Sequence, residues 1–217
     1  GYTVVDRTSV LGTHLSELVR RYAPNLLSRQ DTQRLLETLA KTAPKLVEEL
    51  VPERFTVGQI QKVLQALLRE RVSIRDLQTI GETLADFTTP NPDVQDLVAA
   101  VRQALGRTLV IPLLDRGTLK VLTVSPEVEQ QVRELSAPAA DDGQAALDPR
   151  LAQSLVHRVA NAVRETPAGG QPAVLCSGPD VRAVLRRLTE SSLPMVPFLS
   201  TVEVPDGVTV QAVGQVV

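Results

Sequence analysis

Cys176 and Arg182 bracket the run CSGPDVR (176–182). This is the C-x5-R spacing with which a cysteine thiolate attacks a phosphoryl group while an arginine holds its oxygens. The run falls where a strand is expected to meet a helix, a junction whose backbone N–H groups can cradle an anion and lower a thiol pKa. Three neighbours oppose that chemistry. Pro179 removes an N–H donor, Asp180 brings negative charge into the cradle, and Ala183 stands where a hydroxyl would help the sulfur leave. The bland reading is a buried thiol ending a strand. A small cysteine-dependent phosphatase-like enzyme therefore stands only as an alternative reading.

His14 and His157 are the only histidines, and neither has a Cys or His at metal-ligand spacing. His14-x-x-Glu17 is a single helical turn and not a zinc-protease motif. No Walker loop and no GxGxxG occurs, so no cofactor or metal is expected. Arg69, Arg71 and Arg75 cluster between two expected helices, 57–70 and 73–87, whose tight connection superficially resembles a DNA-binding helix-turn-helix. Basic residues at a helix C-terminus also complement its dipole, and Glu70 and Asp76 interleave with these.

Charge weighs against a nucleic-acid partner, although a nucleic-acid-binding helical domain stays as a further alternative. The 217 residues carry 23 basic and 25 acidic side chains, and residues 1–106 hold 13 of each, so no basic field is concentrated anywhere. Five aromatics and no tryptophan offer no stacking platform. Hydrophobic residues make up 43% and charged ones 22%, the balance of a globular chain whose core is built from Leu, Val, Ile and Ala. Apolar runs of four or five residues are far short of the roughly 20 that span a bilayer. No secretory leader is read at the start, and one cysteine, which allows no intrachain disulfide, suits a reducing compartment.

The elements that must position these groups follow from periodicity. GYTVVD (1–6) reads as a strand end, as if the sequence began inside an element. A helix over 9–22 places Leu11, Leu15, Leu18 and Tyr22 on one face and stops at Pro24 and Asn25. Ser28 with Asp31, and Thr56 with Gln59, form capping boxes for helices running to about Ala43 and over 57–70. The segment PKLVEELVP (44–52) lies between them. In the helix 57–70, Val57, Ile60, Val63, Leu64, Leu67 and Leu68 make one stripe. Ser73 is expected to cap a helix to Phe87, and Asn91-Pro92 to start one through Leu105.

Residues 107–114 are ambiguous between helix and strand. LKVLTV (119–124) reads as a buried strand, then a helix from Ser125-Pro126, a loop over 136–147 and a long helix from Asp148-Pro149. After a PAGGQP linker come a strand at 173–176, a helix at 179–189, and PFLSTVEV and VTVQAV joined by Pro205-Asp206-Gly207 as a terminal β-hairpin. The fold class is thus mixed α+β: a helical bundle, then a small α/β subdomain of order β-α-α-β-α-β-β.

Several ordered stretches resemble one family. GYTVVD (1–6), THLSELVRRYA (13–23), SRQDTQRLLE (28–37), PKLVEELVP (44–52), IQKVLQALLRERVSIRDLQTIGETLADF (60–87), LKVLTVSPEVE (119–129) and SLPMVPFLSTVEVPDGVTVQAVGQV (192–216) are similar to the cytosolic C-terminal region of the FlhA/LcrD/InvA export-gate family of flagellar and type III secretion systems. GYTVVD favours the flagellar branch. The resemblance implies no enzyme but a ring-forming docking platform at the cytoplasmic face of the bacterial inner membrane. Its parent would be membrane-embedded through a missing N-terminal region and assembled as a nonameric ring. The implied partners are export chaperone–substrate complexes, other export-apparatus subunits and the associated ATPase complex.

By the same resemblance, residues 1–27 are the remnant of a first cytosolic subdomain, 28–113 an all-helical third and 114–217 an α/β fourth. Val5, Val10 and Thr13 fall on one wall of the family's chaperone-docking depression. The alternative is that Val5 and Val10 are core residues and Thr13 a helix-surface residue. The sequence departs from the family pattern at Gly12 for alanine, Tyr22-Ala23 for His-Ala, and Thr201-Val202 for Tyr-Asn.

Overall fold

A computed structural model of the protein describes residues 6–89, 92–136, 148–166 and 172–217. The architecture is the expected mixed one, and its contacts divide the chain into two units, Gly1–Ala104 and Leu105–Val217.

The first unit is helical: α1 (Arg7–Leu26), α2 (Arg29–Ala40), α3 (Pro44–Glu48), α4 (Val57–Arg69), α5 (Leu77–Ala85) and α6 (Val94–Ala104). Both capping boxes form. The Ser28 hydroxyl accepts the Asp31 N–H and the Thr56 hydroxyl that of Gln59, while each partner side chain accepts the cap N–H in return. The α4 stripe is the centre of the core: Ile60, Val63, Leu64 and Leu67 are buried together with Leu36, Leu39, Leu50, Ile80, Leu84, Leu97, Val98 and Val101. Burying each such side chain contributes roughly 1.5–3 kcal/mol, so this stripe carries the bundle.

Three helix boundaries differ from expectation. The first helix continues through Pro24 to Leu26. A proline there removes only one N–H bond near the helix end, and the Leu27 N–H still reaches the Ala23 carbonyl at 3.1 Å. The fifth helix begins at Leu77 and not after Ser73, because the Asp76 carboxylate captures the Thr79 N–H and hydroxyl. The connection from α4 is therefore the seven-residue stretch 70–76, not a tight turn. Asn91 lies outside the described residues; at the head of α6, Asp93 accepts the Val94 N–H.

The second unit contains α7 (Gly106–Val110), β1 (Leu114–Asp115), β2 (Thr118–Val124), α8 (Pro126–Ser136), α9 (Pro149–Glu165), β3 (Ala173–Cys176), α10 (Pro179–Thr189), β4 (Phe198–Ser200) and β5 (Thr209–Val216). The ambiguous stretch 107–114 resolves into α7, a 3-10 turn at Ile111–Leu113 and the start of β1. Strand β2 is central. The two-residue β1 folds back antiparallel onto its start, β3 runs parallel along Val121–Thr123, and β5 runs parallel along its whole length. The core alternates across the sheet with period two. Leu122, Val174, Cys176, Phe198 and Val216 pack with α8, α9 and α10, and Leu119, Val121, Ala173 and Leu199 pack with Val110 on the other face.

The expected terminal hairpin does not form. Strand β4 pairs parallel with β3 (Val174↔Phe198 to Cys176↔Ser200), whereas β5 pairs with β2. After Ser200 the chain turns through a 3-10 segment, Thr201–Glu203, whose Glu203 side chain is drawn into the interior. The 3-10 turn ends the strand there. Gly207, at φ +84°, then redirects the chain toward β2. The expected strand at GYTVVD, the loop and the PAGGQP linker fall on residues 1–5, 137–147 and 167–171, outside the described residues except at their edges.

Candidate functional site

The residues of the expected docking wall divide as follows. Val5 lies outside the described residues, while Val10 and Thr13 stand one turn apart on α1. Val10 is 55% exposed, and the Thr13 hydroxyl donates to the Ser9 carbonyl at 2.9 Å while itself facing solvent. Neither Val10 nor Thr13 is a core residue. A side chain added at Gly12 would meet nothing within 4 Å. Thr8, Leu11, Gly12 and Leu15 line an open depression of about 400 Å³ on the opposite side of α1.

At about 100° per residue, Leu11, Leu15, Leu18, Val19, Tyr22 and Leu26 share one stripe of α1. The expected periodicity is present, but the stripe faces outward: Leu11 is 73% and Leu26 66% exposed. The opposite side meets α4 through polar and small groups. Pro24 is buried, Ala23 is half-buried, and Gln61 and Gln65 both donate from Nε2 to the Leu27 carbonyl, at 2.9 and 3.0 Å. Glu17 accepts both Nη atoms of Arg71, one of them at 3.2 Å. The hydrogen bond from Arg71 holds the Glu17 carboxyl below the usual carboxylate range, against the opposing effect of desolvation.

The loop after β3 is indeed an anion cradle, and the anion it holds is the protein's own. The Glu129 carboxylate of α8 accepts the Ser177 N–H at 2.7 Å and the Ser177 hydroxyl. Arg133 closes the network: it donates to the Ser177 hydroxyl at 3.0 Å and to Asp180 at 3.1 Å, and pairs with Glu129 at 3.5 Å. Arg182 is buried, with its Nε 3.2 Å from the Glu203 carboxylate; the two side chains are 1% and 0% exposed. Cys176 is fully buried. Burial first, then the charge of Glu129, push its thiol up to about 12 despite Arg182. A neutral buried thiol, an internally filled cradle and an arginine turned to another carboxylate do not make a phosphate-attacking loop.

Of the basic cluster between α4 and α5, Arg71 is tied within the chain to Glu17, and the neighbouring Glu70 pairs with Arg102 at 3.0 Å. Among the described residues, no three His, Cys, Asp or Glu side chains gather to hold a metal, and no helix is long and apolar enough to cross a membrane. Sequence reasoning missed Glu129, Glu203 and Arg71. The first two act across 48 and 21 residues, and only the oddity of a charge within the apolar run VPFLSTVEV could have flagged Glu203. Arg71 stood out only as one of a basic cluster; its left-handed position, normally announced by glycine, gave no sign.

Known proteins of one family resemble this chain throughout. The FHIPEP family model matches residues 1–209. The flagellar biosynthesis protein FlhA of Bacillus subtilis is 38% identical over all of this chain, which covers 32% of that protein. FlhA of Borreliella burgdorferi is 37% identical over 97% of the chain and 30% of its own length. The chain thus spans less than a third of these relatives. Among solved structures, the C-terminal domain of InvA superposes with a TM-score of 0.81 at 28% identity, over 99% of this chain and 65% of that one. Nonameric EPEC SctV-C gives 0.81 at 29% identity, over 93% and 61%. Chlamydia pneumoniae CdsV, solved in complex with CdsO, gives 0.85 at 26% identity, over 98% and 63%.

Proposed function

This chain belongs to the FHIPEP family, and from that premise we propose that it is the C-terminal part of the cytosolic domain of a flagellar protein-export gate. In this reading it contributes to a ring-forming platform that receives export chaperone–substrate complexes, with Val5, Val10 and Thr13 as part of the receiving wall. The same reading assigns 1–27, 28–113 and 114–217 to successive subdomains of the parent. It sets the parent at the cytoplasmic face of the bacterial inner membrane, alongside other export subunits and the ATPase complex, with no enzymatic step of its own. Nonameric SctV-C and the CdsV–CdsO complex, at 29% and 26% identity, support the assembly side of the proposal.

One observation carries the docking side. Val10 and Thr13 form a small apolar-and-hydroxyl edge that is solvent-facing on a helix held to the bundle by polar ties. An amphipathic segment of a chaperone could cover such an edge through side-chain packing. The test uses the parent's whole cytosolic domain. Thr13→Met is expected to weaken binding of its export chaperones by at least tenfold while leaving the melting curve within about 1 °C, since exposed substitutions change stability little. Unaltered affinity would remove Thr13 from the site.

A further inference from the structure

Arg71 occupies a position where the end of α4 calls for glycine. The Val72 N–H donates to the Leu67 carbonyl at 2.9 Å and the Arg71 N–H to the Leu68 carbonyl at 3.0 Å. These are the paired bonds of a Schellman cap, whose C′ residue must be left-handed. Arg71 is that residue, at φ 61°. A side chain retained on strained backbone where glycine would be comfortable points to work done by the side chain itself.

That side chain reaches Glu17, 54 positions earlier, with both terminal nitrogens on both carboxylate oxygens. A single-point ion pair on a surface fixes little. A bidentate one restricts orientation as well as distance, and here the arginine is only 25% exposed. The second attachment of α1 is at its far end, where Gln61 and Gln65 grip the Leu27 carbonyl. Between Arg7 and Ser16 every side chain that is described is exposed. The helix is therefore a beam pinned at Leu27, braced at Glu17 and projecting beyond.

We propose that Arg71 is a positioning residue: with Glu17 it sets the angle at which α1 leaves the bundle, and so where Val10 and Thr13 stand. Its bearing on chaperone capture rests on the docking reading above; the brace itself does not. With a rise of 1.5 Å per residue, His14 lies roughly 20 Å along the beam from Leu27, so a pivot of about 20° moves it by about 7 Å.

The test uses this 217-residue chain with spin labels on His14→Cys and Gln33→Cys, both exposed in the first unit, in a Cys176→Ala background. The parent should give one narrow distance distribution. Arg71→Gly should widen or shift it by about 5 Å or more, on the lever just worked, while the helical unit melts no lower, because glycine relieves the left-handed backbone. The exchanged pair Glu17→Arg with Arg71→Glu should restore the narrow distribution. A distribution unmoved by Arg71→Gly would overturn the proposal, and so would an exchanged pair as broad as Arg71→Gly. Chaperone affinity, measured on the same variants in the whole cytosolic domain, separates the two readings. A loosened helix with unchanged affinity leaves the brace standing and removes Val10 and Thr13 from the docking wall.

Discussion

Replacing Glu203 with leucine should open the α/β unit more than any surface change in it. The carboxylate lies 3.2 Å from Arg182 Nε, both side chains are essentially inaccessible, and the same carboxylate accepts the Ser200 N–H at 3.2 Å. Leucine would remove the counter-charge while leaving the guanidinium inside, a class of change that costs about 3 to 5 kcal/mol. The double variant Arg182→Met, Glu203→Leu removes both charges and leaves the Ser200 N–H without its carboxylate, a penalty of about 1 to 3 kcal/mol. It should therefore be the more stable of the two. Cys176 supplies the assay, since it is the chain's one thiol and is buried in the core that Arg182 borders. Its modification by a disulfide reagent at neutral pH must wait for opening, and where reclosing is fast the rate follows the open population. At 1.36 kcal/mol per decade, Glu203→Leu should speed labelling by between about 10² and several times 10³. The double variant should fall between it and the parent. Labelling at the parental rate in Glu203→Leu, or a double variant faster than the single, would refute the reasoning.

Two further outcomes test other parts of the fold. Because the Cys176 thiol is pushed up to about 12, the native unit keeps a proton that the unfolded chain loses near pH 8.5. The unfolded state binds fewer protons in that window. Stability should thus fall as pH rises from about 9 toward 12, by up to about 1.4 kcal/mol per pH unit, and Cys176→Ala should flatten that slope in denaturant titrations. Gly106→Ala would bring a methyl group to 2.4 Å from the Glu203 carbonyl oxygen. It should destabilise the α/β unit by about 1 to 3 kcal/mol, read from the same thiol-labelling rate.

What could be read from the sequence was what is decided locally. The Ser28–Asp31 and Thr56–Gln59 boxes, the Pro149 and Pro179 helix starts and the α4 stripe each depend on residues within a turn or two. The hairpin expectation failed because turn chemistry at Pro205–Gly207 says that the chain reverses, not which strand it rejoins. Partners 24 residues away for β4 and about 91 away for β5 decided that, together with the inward Glu203. The phosphatase spacing misled for a related reason. The spacing of Cys176 and Arg182 is visible, but the carboxylate that fills the cradle comes from α8, 48 residues away from Ser177. On α1 the apolar period was legible, while the direction it faces was not. A helical wheel fixes which residues share a face, and tertiary contacts alone fix where that face points.

The Arg182–Glu203 and Arg71–Glu17 ion pairs differ in one physical respect, and the difference bears on which part can move. Arg182 and Glu203 are sealed in; separating them without unfolding would leave two dehydrated charges, so that pair can only hold the α/β unit in one arrangement. Arg71 and Glu17 are 25% and 39% exposed, so water can replace either partner at modest cost. A helix fastened by such a pair and by two amide-to-carbonyl bonds, with its large apolar side chains turned outward, changes angle only once that brace is released, and can then do so without unfolding the core beneath it. The helix that can tilt is also the one bearing Val10 and Thr13. The proposed receiving wall therefore sits on the adjustable element of the helical unit, while the thiol and arginine that resembled a catalytic pair sit in a core built to stay closed.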